Sequence, residues 1–149
     1  MNKAITIPIA VQKPNRAQRV EQLHHDILEE LAQLVSRFLS TGEKGVIDLR
    51  IRAQDFLADE MQPLRERLGK GEVSAKFEGF GHVDIEETSY PGIWWLSYFD
   101  AEEQLETQQI EVAWFPNLLK AQAPDIRQGA ARLAAELLGS DASPAVETH

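Results

Sequence analysis

His24, His25, Asp26 and Glu29 fall within two turns of one helical stretch, and His25 and Glu29 share a face four residues apart. Imidazole and carboxylate are ligands for nickel or zinc, so a metal-delivery protein built on His24 and His25 is one reading of this sequence. Further ligands would have to come from elsewhere in the fold, and no HExxH pattern is present. His24 also flanks the apolar positions Leu28 and Leu31, where a histidine packed edge-on against the core is the usual explanation. A second group is His82, Asp84, Glu86 and Glu87. In a strand, His82, Asp84 and Glu86 occupy one face, with the two carboxylates roughly 7 Å apart. A small hydrolase using His82 and Asp84 is thus conceivable, but no nucleophile signature accompanies the pair. The sequence has no cysteine, which excludes thiol nucleophiles and cysteine-ligated metals. Gly69-Lys70-Gly71 and Gly79-Phe80-Gly81 precede strands rather than helices and match no phosphate-binding loop. The expectation is a protein without catalysis, cofactor or bound metal.

The 149 residues suit one domain, and the net charge of −9 argues against a nucleic-acid partner. Ala4 to Val11 is the one early apolar run. It is too short to cross a bilayer, contains Pro8, and is followed by Lys13 and Arg16 without a cleavage site. A cytoplasmic protein with no membrane contact is expected.

The elements that must position these residues can be read from periodicity. Ile5, Ile7, Ile9 and Val11 alternate, giving an extended arm over residues 1–13 that Pro8 confines to an edge or loop. From Pro14 to Ser40 the period becomes helical: Val20, Leu23, Ile27, Leu31, Leu34 and Phe38 form one stripe, widened by Leu28, Val35 and Leu39, and Gly42 stops it. A short strand is expected from Val46 to Ile51. A second helical segment follows, marked by Leu57, Met61, Leu64 and Leu68, admitting Pro63 only in its first turn and ending at Gly69. Four strands follow between 72 and 115, the last of them Gln108 to Phe115. A final helix from about Pro124 to Leu138 is expected to bury Ile126, Leu133 and Leu137, leaving 139–149 as a disordered tail. Strands in a run after helices, rather than in strict alternation with them, predict an α+β fold. It has a mainly antiparallel sheet of four to five strands packed against about three helices in two layers, as a single domain over 14–138.

Charge and aromatics are segregated along the chain. Residues 77–119 contain nine acids and no lysine or arginine, and nine of the eleven aromatics. Trp94 and Trp95 are consecutive in a strand, so their rings leave the sheet on opposite faces. Two readings fit. The rings fill a two-layer core under a solvated acidic rim, or acidic and aromatic groups together form a surface for a basic, partly apolar polypeptide.

Three segments carry a resemblance: Leu68-Gly69-Lys70-Gly71-Glu72-Val73-Ser74-Ala75, Glu86-Glu87-Thr88-Ser89-Tyr90-Pro91-Gly92-Ile93-Trp94, and Ile110-Glu111-Val112-Ala113-Trp114-Phe115-Pro116. In order and spacing they resemble the HupH/HyaF family of hydrogenase expression/formation proteins, over roughly positions 46–119. The resemblance implies an accessory chaperone in maturation of a [NiFe] uptake hydrogenase. Its partners would be a hydrogenase subunit precursor (the small subunit with its twin-arginine signal) and other maturation proteins. Typical members of the family are nearly twice as long and carry two copies of the module. Where one copy is seen, a homodimer through the Ile5 to Val11 arm is the corresponding expectation. Joined to the charge pattern, the resemblance points to a partner-binding surface of Glu86, Glu87, Tyr90, Trp94, Trp95 and Trp114. The alternative for the Glu86 to Trp94 block is a tight Pro-Gly turn with a buried tryptophan.

Overall fold

Asn15 starts the first helix with a reciprocal cap. Its side chain accepts from the Gln18 backbone N–H at 2.8 Å, and the Gln18 side chain accepts from the Asn15 N–H at 2.9 Å. The helix, α1 (Arg16–Thr41), ends where Gly42 takes φ 77° and returns its N–H to the Phe38 carbonyl. The computed structural model describes residues 13–148, with side chains as far as Gly139. The expected arm therefore lies outside the described residues except for Lys13.

After the turn, β1 (Gly45–Asp48) is shorter than the predicted strand, because Asp48 accepts from the Arg50 N–H at 2.9 Å and turns the chain into the one-turn helix α2 (Leu49–Arg52). A 3₁₀ turn at Ala58–Met61 leads into α3 (Gln62–Leu68), with Pro63 in its first turn and Gly69 as its end. The strands β2 (Ser74–Glu78), β3 (His82–Glu87), β4 (Ile93–Phe99) and β5 (Leu105–Val112) then form a meander. Together with β1 they make one antiparallel sheet in the order β1-β5-β4-β3-β2. The fold is α+β, as the run of strands predicted.

Alternation along β4 divides its side chains between two faces. Ile93 and Trp95, with Ile110 and Val112 of β5 and Ile47 of β1, meet Ile27, Leu31 and Phe38 of α1 and Leu64 and Leu68 of α3 in one core. The other face carries Trp94 and Leu96 beside Ile85 of β3, and these are buried too. The last strand begins and ends three residues earlier than its pattern suggested. The Ala113 N–H bonds the Gly92 carbonyl, so the ladder stops before Trp114 and Phe115.

The described residues from Asn117 onward group into a unit of their own. Its helix, α4 (Ala123–Thr148), continues through most of the predicted tail, whose residues include the helix formers Ala142 and Ala145. Ile126, Leu133 and Leu137 on this helix are exposed, not buried, because a unit that is mostly one helix has no second layer of its own.

Candidate functional site

The three motif segments converge on one corner of the sheet. The Gly71 N–H donates to the Glu87 carbonyl at 2.7 Å, and the Glu87 N–H donates to the Val73 carbonyl at 2.9 Å. The Glu72 N–H donates to Glu87 Oε1 at 3.1 Å. Ser89 returns both its N–H (2.9 Å) and its hydroxyl (2.7 Å) to the Leu68 carbonyl. The approach is so close that a Cβ on Gly71 would stand 2.5 Å from the Thr88 carbonyl oxygen and 2.6 Å from Glu87 Oε1. Thr88, 1% exposed, anchors the next turn. Its hydroxyl donates to the Ile93 carbonyl at 2.8 Å and accepts from the Tyr90 N–H at 3.1 Å. Gly92 closes that turn at φ 90°, a conformation that a side chain would strain. The third segment joins through Ala113, whose N–H meets the Gly92 carbonyl and whose carbonyl accepts from Trp94 Nε1 at 3.0 Å.

This corner holds the Tyr90–Ile93 turn against α1. Between them runs an apolar groove of ≈ 700 Å³, lined chiefly by Leu28, Leu31, Ala32 and Val35 of α1 and by Tyr90 and Pro91, with Arg67 on its rim. One helical turn further along α1, Phe38 packs on Trp114 with ring centroids 4.9 Å apart, and that indole is 78% exposed. Tyr90 is 53% exposed and Phe115 47%. Sequence reasoning named Tyr90 and Trp114 but not the α1 side of the groove. Its signal was the width of the α1 stripe: Leu28 and Val35 make it broader than one sheet face can cover.

The other residues expected at a partner surface are placed differently. Trp94 and Trp95 are both interior, 4% and 1% exposed, one on each face of the sheet. Phe115 meets Trp94 edge-on, and the Arg65 guanidinium lies 4.9 Å over the Trp95 ring. The same Arg65 pairs with Glu86, and Lys70 approaches Glu86 at 3.3 Å, so this carboxylate is neutralised by two cations. Glu87 serves the 71–73 loop. The surplus of acid lies at the far end of the sheet, in the turn between β4 and β5, where Asp100 caps the N–H groups of Glu102 and Gln104. A seven-residue strand spans roughly 20 Å, so the acidic turn and the Tyr90–Trp114 corner are separate surfaces.

The two catalytic or metal-binding groups are likewise resolved. His24 is buried and its Nε2–H donates to the Glu60 carbonyl at 2.9 Å, while His25 is exposed and pairs with Glu29 at 3.5 Å. Among the described residues no group of three or more histidines or carboxylates is arranged to hold a metal ion. His82 does stand 3.8 Å from Asp84, but its ring stacks on Phe99 at 4.6 Å, and Asp84 also faces Lys76 at 3.9 Å. The hydroxyl in register with Asp84, that of Ser97, accepts from Gln108 Nε2.

Residues 24–138 match the family model described as "HupH hydrogenase expression protein, C-terminal conserved region". The chain belongs to the HupH hydrogenase expression protein family. Over 107 residues it is 36% identical to the hydrogenase expression/formation protein HoxQ of Azotobacter vinelandii and to the corresponding protein HupQ of Azotobacter chroococcum mcd 1. The chain spans 38% of the length of these curated relatives, and the match covers 72% of the chain itself. A solved structure, the hydrogenase expression protein HupH from Thiobacillus denitrificans ATCC 25259, superposes with a TM-score of 0.69 at 36% identity. That match covers 79% of this chain and 95% of the solved one. The HupH region takes in all three interlocked segments and both walls of the groove, so the corner described above lies wholly inside the family match. No helix among the described residues is long and apolar enough to cross a membrane.

Proposed function

We propose that this chain is a non-catalytic maturation chaperone for a [NiFe] hydrogenase, acting in the cytoplasm. It holds an apolar segment of a subunit precursor in the groove between α1 and the Tyr90–Ile93 turn. The observation that carries this reading is the groove itself. It is ≈ 700 Å³, walled by aliphatic side chains, and its rim is fixed by the hydrogen-bonded turns that the family segments build. A cleft of that size with few polar groups suits an extended or helical apolar peptide. Exposed Tyr90 and Trp114 are the kind of aromatic anchor that dominates binding energy at such sites.

The family relatives bear the name hydrogenase expression/formation proteins, which supports a hydrogenase subunit precursor as client. The small-subunit precursor fits best, because its twin-arginine signal joins a cationic start to an apolar stretch. The net charge of −9 attracts such a peptide over long range, while the groove supplies short-range contact. The division of labour differs from the one the sequence suggested: acid and aromatics act from opposite ends of the sheet.

The test is a titration of the purified chain with a fluorescent synthetic twin-arginine signal peptide. Ala32→Glu, an exposed position inside the groove, is expected to abolish binding, and Trp114→Ala to weaken it roughly tenfold with the fold intact. Saturable binding that neither substitution alters sinks the groove as the site. Absence of binding by the unaltered chain sinks the client.

A further inference from the structure

The exposed apolar residues of α4 follow a heptad. Ile126, Ala130, Leu133 and Leu137 step by 4, 3 and 4, the spacing at which one helix presents a seam to another. Ile126, Leu133 and Leu137 are 58%, 65% and 69% exposed. Three large aliphatic side chains in register on an exposed helix face form a patch of the kind that marks an interaction surface. Of the four positions flanking the seam, Gly129 and Ala134 are small, so a second helix can approach closely, and Arg127 and Glu136 are charged.

The charges flanking the seam choose the occupant. We propose that α4 pairs with α4 of a second copy of this chain, antiparallel, with Ile126 against the partner's Leu137 and Ala130 against the partner's Leu133. In that register Glu136 of one copy faces Gly129 of the other. The Arg132 guanidinium lies there, 3.8 Å from where a Gly129 Cβ would be. Each copy thus offers Glu136 to the other's Arg132, giving two reciprocal ion pairs about the dyad. A parallel pair sets Glu136 against heptad position 141, another acid, and places no cation beside it. The proposed pairing surface is this face of α4. A single pair of short helices buries less than the roughly 800 Å² per partner of a standard interface, so the dimer is reversible and concentration dependent. This inference is independent of the groove, which belongs to the other unit.

Sedimentation equilibrium of the full chain from about 1 μM to about 1 mM tests it. A monomer–dimer equilibrium is expected, with Leu133→Glu monomeric throughout and unchanged in helix content, since position 133 is exposed within the chain. Arg132→Glu and Glu136→Arg are each expected to weaken the dimer roughly five- to tenfold, and the double exchange to restore it. The sequence has no cysteine, so single cysteines report orientation cleanly. Mixed Ala130→Cys and Leu133→Cys chains should cross-link faster than either alone. A monomer at all concentrations, a dimer indifferent to Leu133→Glu, or preferential self-linking of Ala130→Cys overturns the proposal.

Discussion

The Gly71 N–H reaches the Glu87 carbonyl at 2.7 Å, the shortest of the backbone bonds that join the loop after α3 to the end of β3. The approach leaves no room for a methyl group, since the atoms a Cβ would meet include the backbone carbonyl of Thr88. Gly71→Ala is expected to cost about 1–3 kcal/mol through overpacking, read from urea unfolding. Gly42→Ala, where a Cβ meets nothing within 4 Å, separates that effect from the strain of a positive φ alone. Equal stability of Gly71→Ala and the unaltered chain would show that the two family segments are not locked together.

Thr88 is a polar residue buried at 1% exposure, and its hydroxyl holds the turn that follows β3. Thr88→Val preserves its volume but removes the acceptor for the Tyr90 N–H and one of two donors to the Ile93 carbonyl, which keeps the Thr88 N–H at 3.0 Å. A loss of about 1–3 kcal/mol is expected, together with weaker binding at the groove, because the same turn aims Tyr90. Hydrogen exchange at the Tyr90 amide should rise. A protected amide in a destabilised variant would place the damage elsewhere.

The tryptophans divide by role. Trp95→Ala empties a fully buried site and is expected to cost about 3–5 kcal/mol. Trp95→Phe should cost markedly less, because Trp95 Nε1 is buried with no hydrogen-bond partner among the described residues and Arg65 keeps an aromatic face to lie on. Trp114→Ala should change unfolding by no more than about 1.5 kcal/mol, the value of its ring pairing with Phe38. Thermal or urea unfolding of the three variants decides this, and equal losses at 95 and 114 contradict it.

Acid sensitivity is expected at the start of α1. The Arg16 guanidinium grips Glu60 through two bonds of 2.7 and 2.8 Å, and the Leu57 N–H adds a third, so the carboxyl is held well below the usual carboxylate range, at about 2. A carboxylate whose folded pKa is depressed contributes stability above its unfolded value, near 4.3, and loses it as pH falls toward about 2. Glu60→Gln should therefore flatten the stability profile between those limits and leave the profile above pH 5 parallel to that of the unaltered chain. Unfolding midpoints measured across that window provide the comparison.

At the alkaline end the group to watch is Tyr98, whose hydroxyl is pushed up by burial and then by the nearby carboxylates of Glu111 and Asp48. A raised folded pKa keeps the proton on in the folded chain after the unfolded chain has lost it. Stability thus declines as pH rises above the ordinary tyrosine value of about 10. Tyr98→Phe should remove that decline and delete the later phenolate absorbance change. An unaltered alkaline profile counts against it.

Much of the framework was legible because it rests on local rules. The α1 stripe, the Gly42 stop, Pro63 in a first turn and the four-strand meander follow from side-chain period and from backbone limits of glycine and proline, which act within a few residues. The family segments were legible for the same reason: the close approach at Gly71 and the turn at Gly92 leave their residue types in the chain itself. The sequence also placed Trp94 and Trp95 on opposite faces, since alternation in a strand allows nothing else.

What local rules could not contain was partnership across the sheet. Whether an indole is interior or exposed depends on what packs over it, and Arg65, Phe115 and Phe38 are 30, 21 and 76 positions from Trp95, Trp94 and Trp114. Glu86 read as free acid because its cations lie outside the window in which charge was counted. Acid and aromatics adjacent along the chain came apart because a strand carries its two ends in opposite directions. Burial of the α4 stripe was misjudged because periodicity reports that an apolar face exists, while its covering is a matter of tertiary or quaternary contact.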